Sequence, residues 1–276
     1  MTQSQQADAR KSTTQYWDEN WRRHGGSQGA QLLNQGGGYF WRRIDQSLDS
    51  IFSRLGPGEH RLIEIGAGAS EWLPYLHRRF GFAVHGLDYS EVGCQRAREN
   101  LAALGVPGEI HLADMFSPPE ELCGSFDVVV SFGVIEHFGD TAAALTACSR
   151  YARPGGLVVT MIPNMKGLYG QLYQLFDRRV FDIHVPLDLD DLSKAHRQAG
   201  LPVASGEYLL GLPGVVDKDR IEPVLWRRIA RTLVFRLSRA YWWLEEHGLG
   251  FRENRLTSPY IICSATKPAT GHVSEG

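Results

Sequence analysis

The chain has 276 residues, 43% of them hydrophobic, which is enough for the core of one enzyme-sized domain. Its 29 basic and 31 acidic side chains leave a net charge of -2, which argues against a nucleic-acid partner. The four cysteines include no C-x-x-C pair and fit neither a zinc knuckle nor a disulfide framework, as expected for a cytoplasmic protein.

The amino-terminal part of the chain is predicted to form a helical lid over residues 1–59. Its first residues are polar and lack the apolar core of a signal peptide, and no later run is long enough to cross a bilayer. Two aromatic, helix-like segments follow at 14–25 and 39–52. In the first, Trp17 and Trp21 are four residues apart, as on the core face of a helix, although an aromatic face can also hold a cation.

From residue 61 the chain alternates between short apolar runs and helical patterns, which indicates strands joined by crossover helices. Strands are predicted at 61–65, 82–88, 108–114, 126–132, 154–162, 201–210 and 257–267, and helices at 70–80, 91–104, 139–151 and 188–199. This order is typical of a doubly wound, Rossmann-like α/β sheet, and we assign it to a main domain of residues 60–276. Ligands of such sheets bind beyond the carboxyl ends of the strands.

The loop "IEIGAGAS" at 63–70 has the composition of a ligand-binding turn. Its G-x-G spacing lets the backbone approach a ligand and presents helix amino-terminal amides. Asp88, about 20 residues further on, is placed to accept hydrogen bonds from ribose hydroxyls, although it could also serve as a helix amino-terminal acid beside a Ser90 cap. Glu64 lies between two isoleucines and needs donors or a cation. An ammonium group would satisfy Glu64 whereas a pyrophosphate would be repelled, which favours S-adenosylmethionine over NAD.

Five motifs in this order resemble the class I S-adenosylmethionine-dependent methyltransferases of small molecules. They are "IEIGAGAS", "LDYS", "LADMF", "FDVVVSFGVIEHF" and "ARPGGLVVTMIPN". The resemblance covers residues 60–210 and implies S-adenosyl-L-methionine as cofactor and a seven-stranded sheet with an antiparallel last strand. It implies a cofactor site made of Tyr16, Glu64, Gly66, Ala67, Gly68, Asp88, Tyr89, Asp114, Met115, Ser131 and Phe132.

Within that site the resemblance implies individual roles. Glu64 and the carbonyl of Ser131 or Phe132 would bind the ammonium group, and Asp88 the ribose. Asp114 would accept from the adenine amino group, with a backbone amide from Met115 and an apolar ring face from Tyr89. Tyr16 would approach the sulfonium from the lid. Ser70 stands where a third glycine is common, and we expect it to cap the following helix.

A methyl group on a sulfonium is already activated, so the protein mainly aligns an acceptor and, for a hydroxyl, removes a proton. His137 is the first candidate base, unless its ring only packs on the cofactor, and His184 is the second. One methyltransferase subgroup binds a divalent metal through E-x-x-E-H. Here Gly133 replaces the first glutamate and leaves Glu136, His137 and His184, so we expect no metal.

An insertion at 212–256 precedes the last predicted strand, and 224–247 has the pattern of a basic amphipathic helix. One side carries Leu225, Ile229, Leu233, Leu237, Tyr241 and Leu244; the other carries Arg227, Arg228, Arg231 and Arg239. Such a helix could lie on an anionic membrane, cover a hydrophobic acceptor, or pack on the sheet or on a second subunit. The protein is therefore expected to be a monomer or a homodimer.

The leading hypothesis is a methyltransferase of a small, hydrophobic molecule, acting at oxygen, with transfer to nitrogen or carbon as alternatives. Nucleic-acid acceptors are not expected, because the charge is balanced and "SFGVIEHF" stands where amino-methylating enzymes have N-P-P-[YF]. A second hypothesis is a non-catalytic cofactor-binding or membrane-associated module. A nicotinamide dehydrogenase is disfavoured by Glu64 before the loop and by the missing third glycine.

Overall fold

The computed structural model describes residues 10–24, 38–212, 225–250 and 252–269. Its strands are β1 (Arg61–Ile65), β2 (Ala83–Asp88), β3 (Gly108–Leu112), β4 (Phe126–Phe132), β5 (Ala152–Pro163), β6 (Val203–Leu209) and β7 (Tyr260–Thr266). The helices are α1 (Thr14–His24), α2 (Tyr39–Phe52), α3 (Trp72–Phe80), α4 (Glu91–Ala103), α5 (Thr141–Ser149), α6 (Leu168–Phe176), α7 (Arg178–Asp182), α8 (Leu189–Gln198) and α9 (Leu225–Glu246).

The strands form one seven-stranded sheet in the order β3-β2-β1-β4-β5-β7-β6. Strands β1 to β5 pair in parallel, and β7 runs antiparallel between β5 and β6. The predicted doubly wound sheet with an antiparallel last strand is confirmed. The chain reverses its direction of winding between β1 and β4, so the carboxyl ends of β1, β2 and β4 face one crevice.

Two hydrophobic clusters cover the two faces of the sheet, because successive side chains of a strand point in opposite directions. Ile63 and Ile65 face the cluster that contains α5 and α8, whereas Leu62 faces the cluster with α2, α3 and α4. Central strand β4 is buried on both sides, as its continuous apolar run indicates.

The predicted lid divides into two parts that pack differently. Helix α2 belongs to the core, since Ile44, Leu48 and Ile51 are almost fully buried. Arg43 of the same helix pairs with Glu207 of β6 at 3.0 Å. Helix α1 instead packs beside α4, over the loop after β1. Of the described residues in the predicted lid, 10–24 lie over the crevice and 38–59 do not.

Two elements differ from the sequence-based expectation. The segment after β5, in which no helix is predicted, contains α6 and α7. Helix α9 forms where the amphipathic pattern predicts a helix, but Ile229, Leu233 and Leu237 are 54%, 54% and 65% exposed, while Tyr241 is buried. The side chains of Leu225, Arg227, Arg228 and Arg231 lie outside the described residues. No helix among the described residues is long and apolar enough to cross a membrane.

Candidate active site

The glycine loop after β1 turns tightly against the fourth strand. Gly66 has φ +79°, and a Cβ at this position would collide with the side chain of Val134. A Cβ on Gly68 would lie 2.6 Å from Trp21 Nε1 and 2.9 Å from an Asp88 carboxylate oxygen. Glycine is therefore required at both positions of the G-x-G motif: Gly66 for its backbone conformation and for space, and Gly68 for space.

Glu64 points from β1 into the base of this loop and is 2% exposed. Its carboxylate accepts a hydrogen bond from the Ser70 hydroxyl, while Ser70 Oγ accepts from the amides of Trp72 and Leu73 at 3.1 and 3.2 Å. The predicted helix cap at Ser70 is confirmed. Burial raises the pKa of Glu64 to about 8, and Asp88 adds to the shift. Across the residues that the structure describes, no basic side chain forms an ion pair with Glu64, so an ammonium group fits this position.

Asp88 ends β2 and is held by backbone amides. One carboxylate oxygen accepts from Gly68 N at 2.8 Å and the other from Ser90 N at 2.7 Å. Ser90 Oγ caps α4 by accepting from Gly93 N at 2.9 Å, as predicted. Burial raises the pKa of Asp88 to about 6, against the lowering effect of these amides. Asp88 thus both stabilises the loop and retains lone pairs for a ligand hydroxyl.

The position predicted for adenine contains a side chain that sequence reasoning missed. Asp114 follows β3 and forms an ion pair with Arg10. The Arg10 guanidinium lies 5.0 Å from the ring centre of Tyr89 and 5.8 and 5.9 Å from those of Phe116 and Phe138. Met115, next to Asp114, is buried in the core. Arg10 lies upstream of both aromatic segments, and no motif marks it.

Helix α1 closes the crevice from above. Trp17 and Trp21 stack with ring centres 5.5 Å apart, and Asp18 accepts a hydrogen bond from Ser90 Oγ at 2.5 Å. A cavity of about 90 Å³ remains, lined by Ser12, Trp17, Trp21, Gly66, Asp88, Tyr89, Phe132, Gly133, Val134, His137 and Phe138. This volume is well below the roughly 300 Å³ at which small-molecule pockets begin.

A second cavity of about 300 Å³ adjoins the first and shares Trp17, Gly133 and His137 with it. Its other lining residues are Tyr16, Asn20, Glu136, Pro163, Met165, Tyr169, Tyr173, Val180, Ile183, His184 and Tyr260. Tyr16, predicted at the sulfonium, lines this second cavity, and its cofactor contact stays a prediction. Helices α6 and α7 supply much of the wall, so the acceptor side of the site comes from segments distant in sequence.

His137 lies in a short 3₁₀ turn after β4, at the boundary between the two cavities. Its Nδ1 is 2.8 Å from the carbonyl oxygen of Ile183, and a carbonyl can only accept, so Nδ1 carries the proton and Nε2 is left as an acceptor. The ring centre of His184 lies 4.5 Å away, and its Nδ1 donates in the same way to Val180 O. Burial lowers the pKa of His137 to about 3, helped by His184, and also lowers the pKa of His184.

Glu136 is the third polar group at this boundary and is 1% exposed. Its Oε2 is buried and has no hydrogen-bond partner within the described part of the chain, and burial raises its pKa to about 8. One ligand atom each of Glu136, His137 and His184 lies within 4.8 Å of the others. This donor set could hold a divalent cation as well as orient an acceptor. The expectation of no metal therefore stays a prediction.

Ser131 and Phe132 end β4 beside the glycine loop. The Ser131 hydroxyl is buried and unpaired with respect to the described residues, and Phe132 lines the first cavity. The structure thus brings Glu64, Asp88 and Ser131 to one crevice, with Asp114 at its edge. A larger polar cleft of about 670 Å³, lined by Tyr39, Arg43 and Glu245 among others, contains none of the predicted site residues.

Comparison with known proteins supports the same family. A family model described as "Methyltransferase domain" matches residues 40–205. The chain is 30% identical to a ubiquinone biosynthesis O-methyltransferase of Pseudomonas aeruginosa over 55% of this chain and 69% of the relative. A protein of the same name from Aromatoleum aromaticum is 31% identical over 60% of this chain and 72% of the relative.

Solved structures share the fold at low sequence identity. The [4+2]-cyclase SpnF superposes with a TM-score of 0.58 at 16% identity and covers 93% of this chain and 97% of its own. The geranyl diphosphate C-methyltransferase of Streptomyces coelicolor A3(2) gives a TM-score of 0.53 at 16% identity, covering 82% of this chain and 77% of its own. The architecture described above is thus found in proteins of differing chemistry.

Proposed function

The chain belongs to the class I S-adenosylmethionine-dependent methyltransferases, and we propose that it transfers the methyl group to the hydroxyl oxygen of a small, hydrophobic phenol or enol. The observation that carries this proposal is the position of His137 between a cavity rimmed by Asp88 and a larger one rimmed by tyrosines. A group at this boundary contacts both the methyl donor and the methyl acceptor.

The cofactor site is proposed to bind its ligand through three carboxylates at the ends of three adjacent parallel strands. Glu64 would bind the ammonium, Asp88 the ribose hydroxyls and Asp114 the adenine amino group. The buried Ser131 hydroxyl and Trp21 Nε1 have no hydrogen-bond partner among the described residues, and a polar ligand would satisfy both. When bound, S-adenosylmethionine supplies an activated methyl group on its sulfonium.

The chemistry of His137 points to the class of acceptor. Its Nε2 is unprotonated at neutral pH and can accept a hydrogen bond from an acceptor hydroxyl. With a pKa of about 3, however, this imidazole is a weak base and cannot take a proton from an ordinary alcohol. A phenol or an enol is a far stronger acid than an alcohol, so Nε2 need only accept a hydrogen bond from its hydroxyl and pass the proton on to solvent as the oxygen is methylated. His184 is proposed to orient the acceptor beside it.

The relatives in Pseudomonas and Aromatoleum are named for O-methylation in ubiquinone biosynthesis, which supports oxygen as the methylated atom and an apolar acceptor. The second cavity fits such a molecule, because Met165, Val180 and Ile183 give it apolar walls. Tyr169, Tyr173 and Tyr260 add amphipathic rings.

The direct test offers the purified chain methyl-labelled S-adenosylmethionine together with alkyl-tailed phenols, and matched alcohols and amines. Label on the phenol oxygen alone is the expected result. Label on nitrogen or carbon would overturn the choice of atom, and cofactor binding without turnover would favour the non-catalytic alternative. The same assay after chelation by EDTA tests for a metal: activity is expected to persist, and a metal-dependent activity that is lost in Glu136→Gln but kept in Glu109→Gln would assign Glu136, His137 and His184 as metal ligands.

A peripheral contact with an anionic membrane is also proposed for α9, since it would bring the site to a lipid-borne acceptor. Ile229, Leu233 and Leu237 recur at intervals of four residues and are each more than half exposed. Arg236 and Arg239 are exposed on the same helix, near this apolar stripe. This combination is typical of helices that lie in the headgroup region. Loss of binding to phosphatidylglycerol vesicles in Leu233→Asp and Leu237→Asp, with unchanged activity on a soluble phenol, is the expected outcome.

A further inference from the structure

A second cluster of side chains of the types that bind metals lies outside the active site, on β2 and the edge strand β3. His85 of β2 is paired in register with Glu109 of β3, and His111 is two residues further along β3. Side chains two residues apart on a strand share a face of the sheet. The pairing of β2 with β3 therefore places all three side chains on the same face. Edge strand β3 leads directly into Asp114 and Met115.

The distances within this cluster suit a tetrahedral metal ion. His85 Nδ1 is 3.4 Å from His111 Nε2, and the Glu109 carboxylate oxygen is 3.7 Å from the first and 3.8 Å from the second. Zinc bonds of about 2.0–2.1 Å in tetrahedral geometry place ligand atoms about 3.3–3.4 Å apart. Small rotations of the rings and of the exposed glutamate would close the remaining difference.

The two imidazoles face each other through the nitrogens that the ion would bind. The ring planes are 9° apart, and His85 Nδ1 and His111 Nε2 share a hydrogen bond of 3.4 Å. One of these nitrogens therefore carries a proton, which an arriving ion would displace. The positive charges of Arg61 and Arg98 repel a cation at this cluster, whereas the negative charges of Glu109 and Glu121 attract one.

We propose that His85, Glu109 and His111 bind a divalent transition metal such as zinc, with water as a fourth ligand. The ion would connect the edge strand β3 to β2 and so reinforce the end of β3 that positions Asp114. An edge strand has neighbours on one side only and opens more readily than a central one.

The test is calorimetric titration of the full chain with Zn²⁺, compared with Glu109→Gln, His111→Gln and His184→Ala. Glu109 and His111 are partly exposed, so these variants should fold, which circular dichroism checks. We expect at least tenfold weaker binding of one zinc ion in Glu109→Gln and His111→Gln, and no change at this site in His184→Ala. Equal zinc affinity in wild type and both edge variants, or no binding in the wild type, overturns the proposal.

An independent set of contacts concerns the strap, which we define as residues 10–13 ahead of α1. Arg10 forms a backbone bridge with Phe138, and Lys11 N donates to His137 O at 2.9 Å. Lys11 Nζ donates to the carbonyl of His184 at 2.9 Å. The strap thus lies across the crevice and touches the loops that carry both candidate catalytic histidines.

Arg10 holds the place that the proposed function gives to adenine. Its planar, cationic guanidinium donates to Asp114 and lies over the Tyr89 ring, so it satisfies the same acceptor and covers the same face. Its Nε is buried and has no partner in the described residues, so its hydrogen bonding is incomplete.

From this overlap we infer that Arg10 competes with the adenine group, so that the strap lowers cofactor affinity and speeds release of the spent cofactor. The inference rests on the proposed cofactor site. It predicts that removing a charged, partly buried side chain from the site should tighten cofactor binding, where such a removal usually weakens it.

Titration calorimetry with S-adenosylhomocysteine tests it on wild type, Arg10→Ala, Arg10→Lys and Arg22→Ala, the last an exposed arginine of α1 as the matched control. Arg10→Ala is expected to lower Kd about threefold to tenfold, Arg10→Lys less, and Arg22→Ala not at all. Weaker or equal binding by Arg10→Ala overturns the competition. If neither wild type nor Arg10→Ala binds the nucleoside, it is the proposed function that fails.

Discussion

The two halves of the site differ in how the chain builds them. On the side proposed for the cofactor, Glu64, Asp88 and Ser131 each lie at the end of a parallel strand, and backbone pairing alone brings them together. On the side proposed for the acceptor, His184 and Tyr260 come from a helix-rich segment and from the antiparallel strand, and the lid adds Tyr16. The cofactor half is thus fixed by the topology of the sheet, and the acceptor half by additions to it.

The largest effect is expected at His137, which lies at the boundary between the two cavities. His137→Ala should lower kcat by about 10²-fold, the lower end of the usual contribution of a positioned acid or base, because its low pKa makes His137 a weak base. His184→Ala is the matched comparison and should cost less, since this ring is proposed only to orient the acceptor. Steady-state kinetics on a phenol measures both, and an unchanged kcat in His137→Ala would remove this residue from the mechanism.

The second substitution acts on the cofactor half alone. Glu64→Gln keeps the shape and the contact with Ser70 but removes the charge. A hydrogen bond to a charged group contributes about 1.5–3 kcal/mol, so Kd should rise about 10- to 150-fold while the thermal midpoint stays near the wild-type value. Glu99→Gln, on the exposed side of α4, serves as control. A Kd unaffected by Glu64→Gln would mean that the ammonium binds elsewhere.

A smaller effect is expected for a substitution on the acceptor side, which should change the acceptor KM but not the Kd for the cofactor. Tyr173→Ala removes one wall of the second cavity and should raise the acceptor KM about fivefold, because about 1 kcal/mol of ring contact is lost. The Kd for the cofactor should remain the same, as Tyr173 does not line the first cavity. Parallel changes in both constants would show that the two cavities form one site.

The positions in the fold of the residues proposed to bind the cofactor could be predicted from the sequence, because their determinants are local. Gly66, Gly68 and Asp88 occupy positions that a strand, a turn and the next strand dictate, and Ser70 caps a helix two residues away. The helices α6 and α7 were missed, since a pattern of scattered tyrosines does not distinguish a loop from a short helix.

Other features depend on long-range contacts that no local pattern encodes. Arg10 meets Asp114 across the site, and its role depends on the path of the strap. The exposure of Ile229, Leu233 and Leu237 is a second case: the amphipathic pattern predicts a helix with an apolar side, but only packing decides whether that side is covered. The pairing of His85 with His111 depends on strand register, which the sequence left open.

The protonation of Glu64 provides the most direct test of the account. Burial raises the folded-state pKa of this carboxyl to about 8, so at pH 7 it holds a proton that an arriving ammonium must displace. Calorimetric titration with S-adenosylmethionine at pH 6, 7 and 8, in buffers of different ionisation enthalpy, measures this exchange. We predict proton release and a Kd that falls as pH rises from 6 towards 8, by at most about tenfold per pH unit, with the release lost in Glu64→Gln. A wild-type protein that does not bind the cofactor, or binds it with no proton exchange at pH 6 and 7, would contradict the central claim.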